Sequence, residues 1–176
     1  MTTAGEIQSD DKDWTWVLTQ PCPDCGFDPA AQPAERLGEL LRGAIPRWKA
    51  VLHRADAHAR PAAEVWSPLE YGCHVVDVCV LFDERLRAMI ARDGAEFSNW
   101  DQDETALAAR YGEQDPSATA VRFAEAADTL ADRFDAVQGE LWEHRGVRSN
   151  GSEFTVRTFA QYFWHDIRHH LADVDG

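Results

Sequence analysis

Apolar positions recur at spacings of three and four along four stretches of the chain. From Ala34 to His58, Leu37, Leu40, Leu41, Ile45, Trp48, Val51 and Leu52 form one stripe, which predicts an amphipathic helix. Pro46 lies inside that stretch and is expected to kink or divide it. Ser67-Pro68-Leu69-Glu70 supplies an N-cap serine, a proline at the first helical position and a glutamate three residues after the cap. A second helix is therefore expected from there to about Arg92, where Asp93-Gly94 ends it. Its middle, YGCHVVDVCVLF, is apolar nearly all round and predicts deep burial. A third helix should follow Asp115-Pro116 and run from about Ser117 to Leu141, with Val121, Phe123, Leu130, Phe134 and Val137 on its buried side. A fourth should open at Thr155 or Thr158 and continue through Ala172.

The intervening segments complete the plan. Residues 93–115 read as a long connection containing a short helix through Leu107 and Tyr111. Asn150-Gly151 between two partly alternating runs predicts a β-hairpin near residues 144–156. Residues 1–33 carry Pro and Gly at close intervals and read as an irregular N-terminal extension. The remaining residues, 34–176, form the helical body. The fold class expected is all-α: a four-helix bundle with a long crossover connection and a short hairpin before the last helix.

Composition narrows the function. The 176 residues carry a formal charge of −14, which disfavours nucleic acid or an anionic membrane surface as a partner. No apolar run has the length of a membrane span, and the start MTTAGEIQSDDKDW lacks the pattern of a secretory signal. A cytoplasmic location is the expectation, and a disulfide framework for the four cysteines is not. Among 17 basic residues only Lys12 and Lys49 are lysine, a bias that matches high-GC coding.

The chemistry concentrates on histidine. His165 and His169 lie four residues apart in the fourth helix, a spacing that sets two imidazoles on one face about a turn apart. His74 lies within the buried run of the second helix, where an imidazole needs partners. Facing helices of a bundle can assemble such residues into a metal site, so His74, His165 and His169 are the candidate ligands. Asp77, three residues after His74, and Asp166 are candidates for orienting them. Three imidazoles leave a coordination position open, as catalytic sites do. Zinc is the expected ion, with nickel, iron and manganese as alternatives.

The strings WSPLEYGCHVVDV and FTVRTFAQYFWHDIRHHLADV together resemble the DinB-like superfamily of metalloenzymes, over roughly residues 34–174. The resemblance implies an up-down-down-up four-helix bundle and a metal held by His74, His165 and His169. It also implies a link to low-molecular-weight thiols, through mycothiol-dependent maleylpyruvate isomerases and bacillithiol or mycothiol S-transferases. The high-GC composition favours mycothiol. The N-terminal CPDCGFD string is outside the general family pattern.

Three further features remain. Cys22 and Cys25 form one CxxC, a structural turn, a redox pair or half of a second metal site. Trp100 and Asp101 in the long connection, and Tyr162 one turn before His165, are candidates for contacting substrate. His53, His58, His144 and His170 read as surface residues. The expected function is a metal-dependent thiol S-transferase or isomerase acting on a small thiol and an electrophile. The alternatives are a non-catalytic metal- or ligand-binding stress protein, dimeric through helix faces, and a purely structural bundle without metal.

Overall fold

A computed structural model describes Ile7 and residues 12–176. Its helices are α1 (Leu37–Leu52), α2 (Pro68–Ala91), α3 (Gln102–Ala108), α4 (Pro116–Asp135) and α5 (Val156–Asp173). The four long ones form the bundle: α1 and α2 each pack against both α4 and α5. Trp48, Phe123, Phe134, Phe159 and Phe163 are all but inaccessible between them. Phe82 of α2 stacks on Phe159 of α5, with ring centres 4.4 Å apart.

Local chemistry sets the helix ends. α2 opens on the expected capping box, in which Ser67 and Glu70 satisfy each other's backbone N–H groups. α5 opens on the side chain of Thr155, which accepts from the Thr158 N–H. α1 ends at Leu52 rather than His58, because the apolar spacing lapses in the polar string that follows. Pro46 does not divide it. That residue is exposed, so water can serve the carbonyl left without a donor. α4 stops at Asp135, short of Leu141, and Gly139 at φ 55° leads into a 3-10 turn, Gly139–Glu143. Val121, expected on the buried side of α4, is 58% exposed.

The expected hairpin is present as β2 (Arg145–Arg148) and β3 (Glu153–Thr155), paired antiparallel. A strand that the alternation pattern did not predict, β1 (Ala95–Phe97), pairs in parallel with β2. The close approach depends on Gly146, where a Cβ would stand 2.7 Å from the Phe97 ring. This small sheet ties the long connection after α2 to the entrance of α5.

The N-terminal segment is irregular, with 3-10 turns at Trp14–Leu18, Pro29–Ala31 and Ala34–Arg36. It is nonetheless part of the core: Val17, Cys22 and Phe27 are each at most 1% exposed. Among the described residues no helix is long and apolar enough to cross a membrane.

Candidate metal centre

The capped start of α2 fixes the first member of the site. Glu70 accepts from the Ser67 N–H at 2.8 Å and from Arg60 Nε at 2.9 Å, which anchors the first turn. His74, one turn later, is 1% exposed. Neither of its ring nitrogens has a hydrogen-bond partner. Trp100 stacks on this imidazole at 5.5 Å and 14°, and Trp66 lies against it at 5.4 Å. The aromatic walls hold the ring and supply no acceptor at hydrogen-bonding distance.

On α5, residues four apart share a face. Asp166 and His170 are such a pair, and they face His74. Asp166 Oδ2 is 3.6 Å from His74 Nε2, and Asp166 Oδ1 is 3.5 Å from His170 Nε2. The buried Oδ2 has no hydrogen-bond partner. Each of the three residues offers a ligand atom, and the three atoms lie within 4.8 Å of one another. Asp173 accepts from, or aligns, His170 Nδ1 at 2.8 Å, leaving Nε2 turned toward the group. A carboxylate behind a ligating imidazole is a common arrangement in metal sites, where it fixes the ring. Tetrahedral coordination by imidazole and carboxylate separates their ligand atoms by about 3.4 Å. The spacing and the orphaned buried atoms of His74 and Asp166 thus fit a divalent cation.

The electrostatics of His74 and Asp166 agree with that fit, and those of His170 require that ring to give up a proton. Burial pushes the His74 pKa down and keeps the ring neutral, the form that binds metal. Burial alone would raise the Asp166 carboxyl, but the charge of His170 and the closeness of the His170 and His74 rings hold it well below its usual range. Burial also opposes the charge on His170, and Asp166 and Asp173 outweigh it and raise that pKa.

The three histidines expected from the sequence are divided by the structure. His74 falls with Asp166 and His170, whereas His165 and His169 fall with Cys22 and Cys25. The reason is helical rotation: Asp166 and His170 are offset from His165 and His169 by one residue, about 100° around α5. His170, read as a surface residue, is only 17% exposed at its side chain and belongs to the site. The available signal was the D-x-x-x-H spacing, which has the same period as H-x-x-x-H. His144 is also more engaged than a surface residue, with Nδ1 2.9 Å from the Met89 carbonyl. His53 and His58 are exposed. Asp77 receives the Tyr111 hydroxyl and makes no hydrogen bond to either ring nitrogen of His74. Burial drives the His165 pKa down to about 4, with His169 adding to the effect.

A cavity of about 1040 Å³ opens above His74, Asp166 and His170. Trp14, Trp66, Tyr71, Trp100 and Tyr162 give it aromatic walls, and Lys12, Arg85 and Arg148 give it three cations. Trp100, Asp101 and Tyr162, the expected substrate contacts, all line it. Asp101 has a second task, capping α3 through the Glu104 N–H at 2.8 Å. Arg85 is buried and donates to the Ser98 carbonyl at 2.7 Å. Burial, helped by the nearby Arg148, lowers its pKa to about 10, so it stays cationic at neutral pH.

The family model of the DinB superfamily matches residues 50–174. No protein of curated function matches the chain in sequence. Among solved structures, the bundle is similar to YfiT from Bacillus subtilis, described as a probable metal-dependent hydrolase with an unusual four-helix bundle topology. The TM-score is 0.70 at 11% identity, covering 79% of this chain and 82% of YfiT. With more than half of its length matched by the family model, the chain belongs to the DinB superfamily.

Proposed function

We propose that the protein is a divalent-metal-dependent enzyme whose ion is held by His74, Asp166 and His170, and that it acts on a small thiol and an electrophile as an S-transferase or isomerase. The observation that carries the metal reading is the buried, unpartnered state of His74 Nδ1, His74 Nε2 and Asp166 Oδ2 beside one another. Buried polar atoms without partners are rare in folded proteins, and a cation satisfies one His74 nitrogen and Asp166 Oδ2 together. When bound, the ion would supply Lewis acidity that lowers the pKa of a coordinated thiol or water.

The chain's own residues suit such a reaction. Two imidazoles and one carboxylate leave coordination positions for a substrate atom. A cavity of about 1040 Å³ has room for two small reactants together. Trp14, Trp66 and Trp100 exclude water from one side, and Arg85 and Arg148 offer a carboxylate-bearing electrophile two cationic anchors. Zinc is the first candidate ion, with nickel, iron and manganese also compatible with this donor set.

Hydrolysis is the second reading, favoured by the likeness to YfiT. Both are tested by elemental analysis of the purified protein, with His74→Ala and His170→Ala alongside, followed by turnover assays. Thiol-dependent conjugation of a bimane electrophile, lost in both variants, supports the transferase reading. Thiol-independent cleavage of activated esters, lost in the same variants, replaces it with the hydrolase. Metal bound without either turnover leaves a metal-binding protein, and no metal after reconstitution refutes the site.

A further inference from the structure

Cys22, Cys25, His165 and His169 lie outside the group just described, on the neighbouring face of α5. Each offers one ligand atom, and the four atoms all lie within 4.8 Å of one another. Cys22 and His165 are buried, at 1% and 4% exposure. The two cysteines are brought together by a tight turn. Gly26 donates its N–H to the Cys22 carbonyl at 2.9 Å, and Cys22 donates to the Phe27 carbonyl at 2.8 Å. Gly26 takes φ 68°, a conformation that favours glycine, so the C-P-D-C-G string is suited to this loop. From α5, Arg168 Nε donates to the Cys25 carbonyl at 2.9 Å and holds the turn down.

Two observations point to a ligand within this group. His165 Nε2 is buried and has no hydrogen-bond partner. The Cys22 Sγ and His169 Nδ1 atoms stand 3.6 Å apart. Ordinary bond lengths put a thiolate sulfur and an imidazole nitrogen on a tetrahedral zinc about 3.6 Å apart. Aromatic rings flank the group, whose histidines also line the cavity: Phe27 packs edge-on to His165 at 5.4 Å, and Trp14 lies 5.4 Å from His165 and 5.0 Å from His169.

We propose that these four residues form a second, closed metal site, which takes a zinc-type divalent cation and fastens the N-terminal segment to α5. Two thiols lose their protons to solvent as the ion binds. Two thiolates, two neutral imidazoles and a divalent cation then sum to zero charge, a composition that tolerates burial. Four protein ligands leave no position for substrate, so the site is structural. Its soft sulfur donors distinguish it from the His74 group and select zinc over magnesium, calcium or manganese. The clamp also has a bearing on the cavity. It seats Trp14 in the cavity wall, and it fixes the rotation of α5 that turns Asp166 and His170 toward His74.

The test counts and identifies ions without using activity. Protein reconstituted with zinc and desalted should hold two ions per chain. Cys25→Ser and His170→Ala should each hold one. Cobalt in place of zinc should give the wild type and His170→Ala thiolate-to-cobalt charge-transfer bands and the strong visible bands of tetrahedral cobalt. Cys25→Ser should lose those bands, and Cys25→His, which restores a ligand, should recover the second ion with a weakened sulfur signature. Chelation should expose the segment between Thr19 and Pro33 to limited proteolysis, a change that zinc reverses. Equal zinc content in wild type and Cys25→Ser, or cobalt spectra without thiolate bands, would overturn the proposal. So would Cys22 and Cys25 recovered as a disulfide that zinc and reductant do not convert to a loaded site.

Discussion

Glu70 carries more of the site's geometry than a surface glutamate would, and Glu70→Gln measures how much. Its Oε2 accepts from Ser67 N–H at 2.8 Å and from Arg60 Nε at 2.9 Å, while Oε1 receives the other arm of the guanidinium. The side chain is 7% exposed and that of Arg60 is 33% exposed. Glutamine can keep its oxygen at the capping position, but its amide then points a donor at Arg60. One charge-assisted hydrogen bond is lost and the others become neutral-acceptor bonds, while Arg60 regains some water. At about 1.5–3 kcal/mol for a charge-assisted bond against about 1 for a neutral one, the net loss is about 2 kcal/mol. For a chain of this size that corresponds to a fall of about 4–8 °C in Tm. The pH dependence has a definite sign. Burial would raise the Glu70 pKa, but Arg60 and Ser67 more than compensate and hold it below 4.5. A carboxyl with a depressed folded-state pKa contributes stability above its unfolded value, and that contribution is lost as pH falls through the folded one. Urea unfolding of both proteins should therefore show the gap at neutral pH and a shrinking gap below pH 4.5. A gap that is absent at neutral pH, or unchanged in acid, would refute the role given to Glu70.

Three further outcomes are expected. Gly72→Ala would put a Cβ 2.6 Å from Leu52 Cδ2 in the contact between α2 and the end of α1; overpacking of that kind should cost about 1–3 kcal/mol in urea unfolding, and an unchanged midpoint would show that Leu52 can yield. Metal uptake by the His74 group should release a proton from His170, whose pKa is raised by Asp166 and Asp173 against the effect of burial. Calorimetry of zinc binding to Cys25→Ser, in buffers of different ionisation enthalpy, should show that release at neutral pH, and adding His170→Ala to the same Cys25→Ser protein should abolish it. Trp100→Ala should keep metal stoichiometry intact, since the indole stacks on His74 without ligating, and should raise KM more than it lowers kcat. A loss of metal instead would make the stack part of the ion's cage.

The helical body was legible because its signals are local. The capping box at Ser67 and Glu70, the turn at Asn150-Gly151 and the apolar stripes each depend on residues a few positions apart, and each appears in the structure. The parallel pairing of β1 with β2 joins Ala95 to Gly146. No local period announces a contact between segments so far apart, and Ala-Glu-Phe is too short to show alternation. The helix ends were overestimated after Leu52, where the apolar spacing lapses, and after Asp135, where Gly139 takes a positive φ and the chain turns into a 3-10 segment.

The site was half legible for a geometric reason. α5 carries two pairs at the same spacing, His165 with His169 and Asp166 with His170, set one residue apart. Periodicity identifies both pairs and cannot say which one faces His74, because that depends on how the helix is rotated in the bundle. The rotation follows from Phe159, Phe163 and Ile167, all buried at 1% or less, and from the N-terminal turn that places two cysteines beside His165 and His169. The two groups share one helix. A single rotation of α5 must satisfy both, so the turn of about 100° that would bring His165 and His169 to His74 would also take them away from Cys22 and Cys25. The CxxC and the D-x-x-x-H string therefore constrain each other across 140 or so residues, a coupling that geometry imposes through the helix's period of about 3.6 residues.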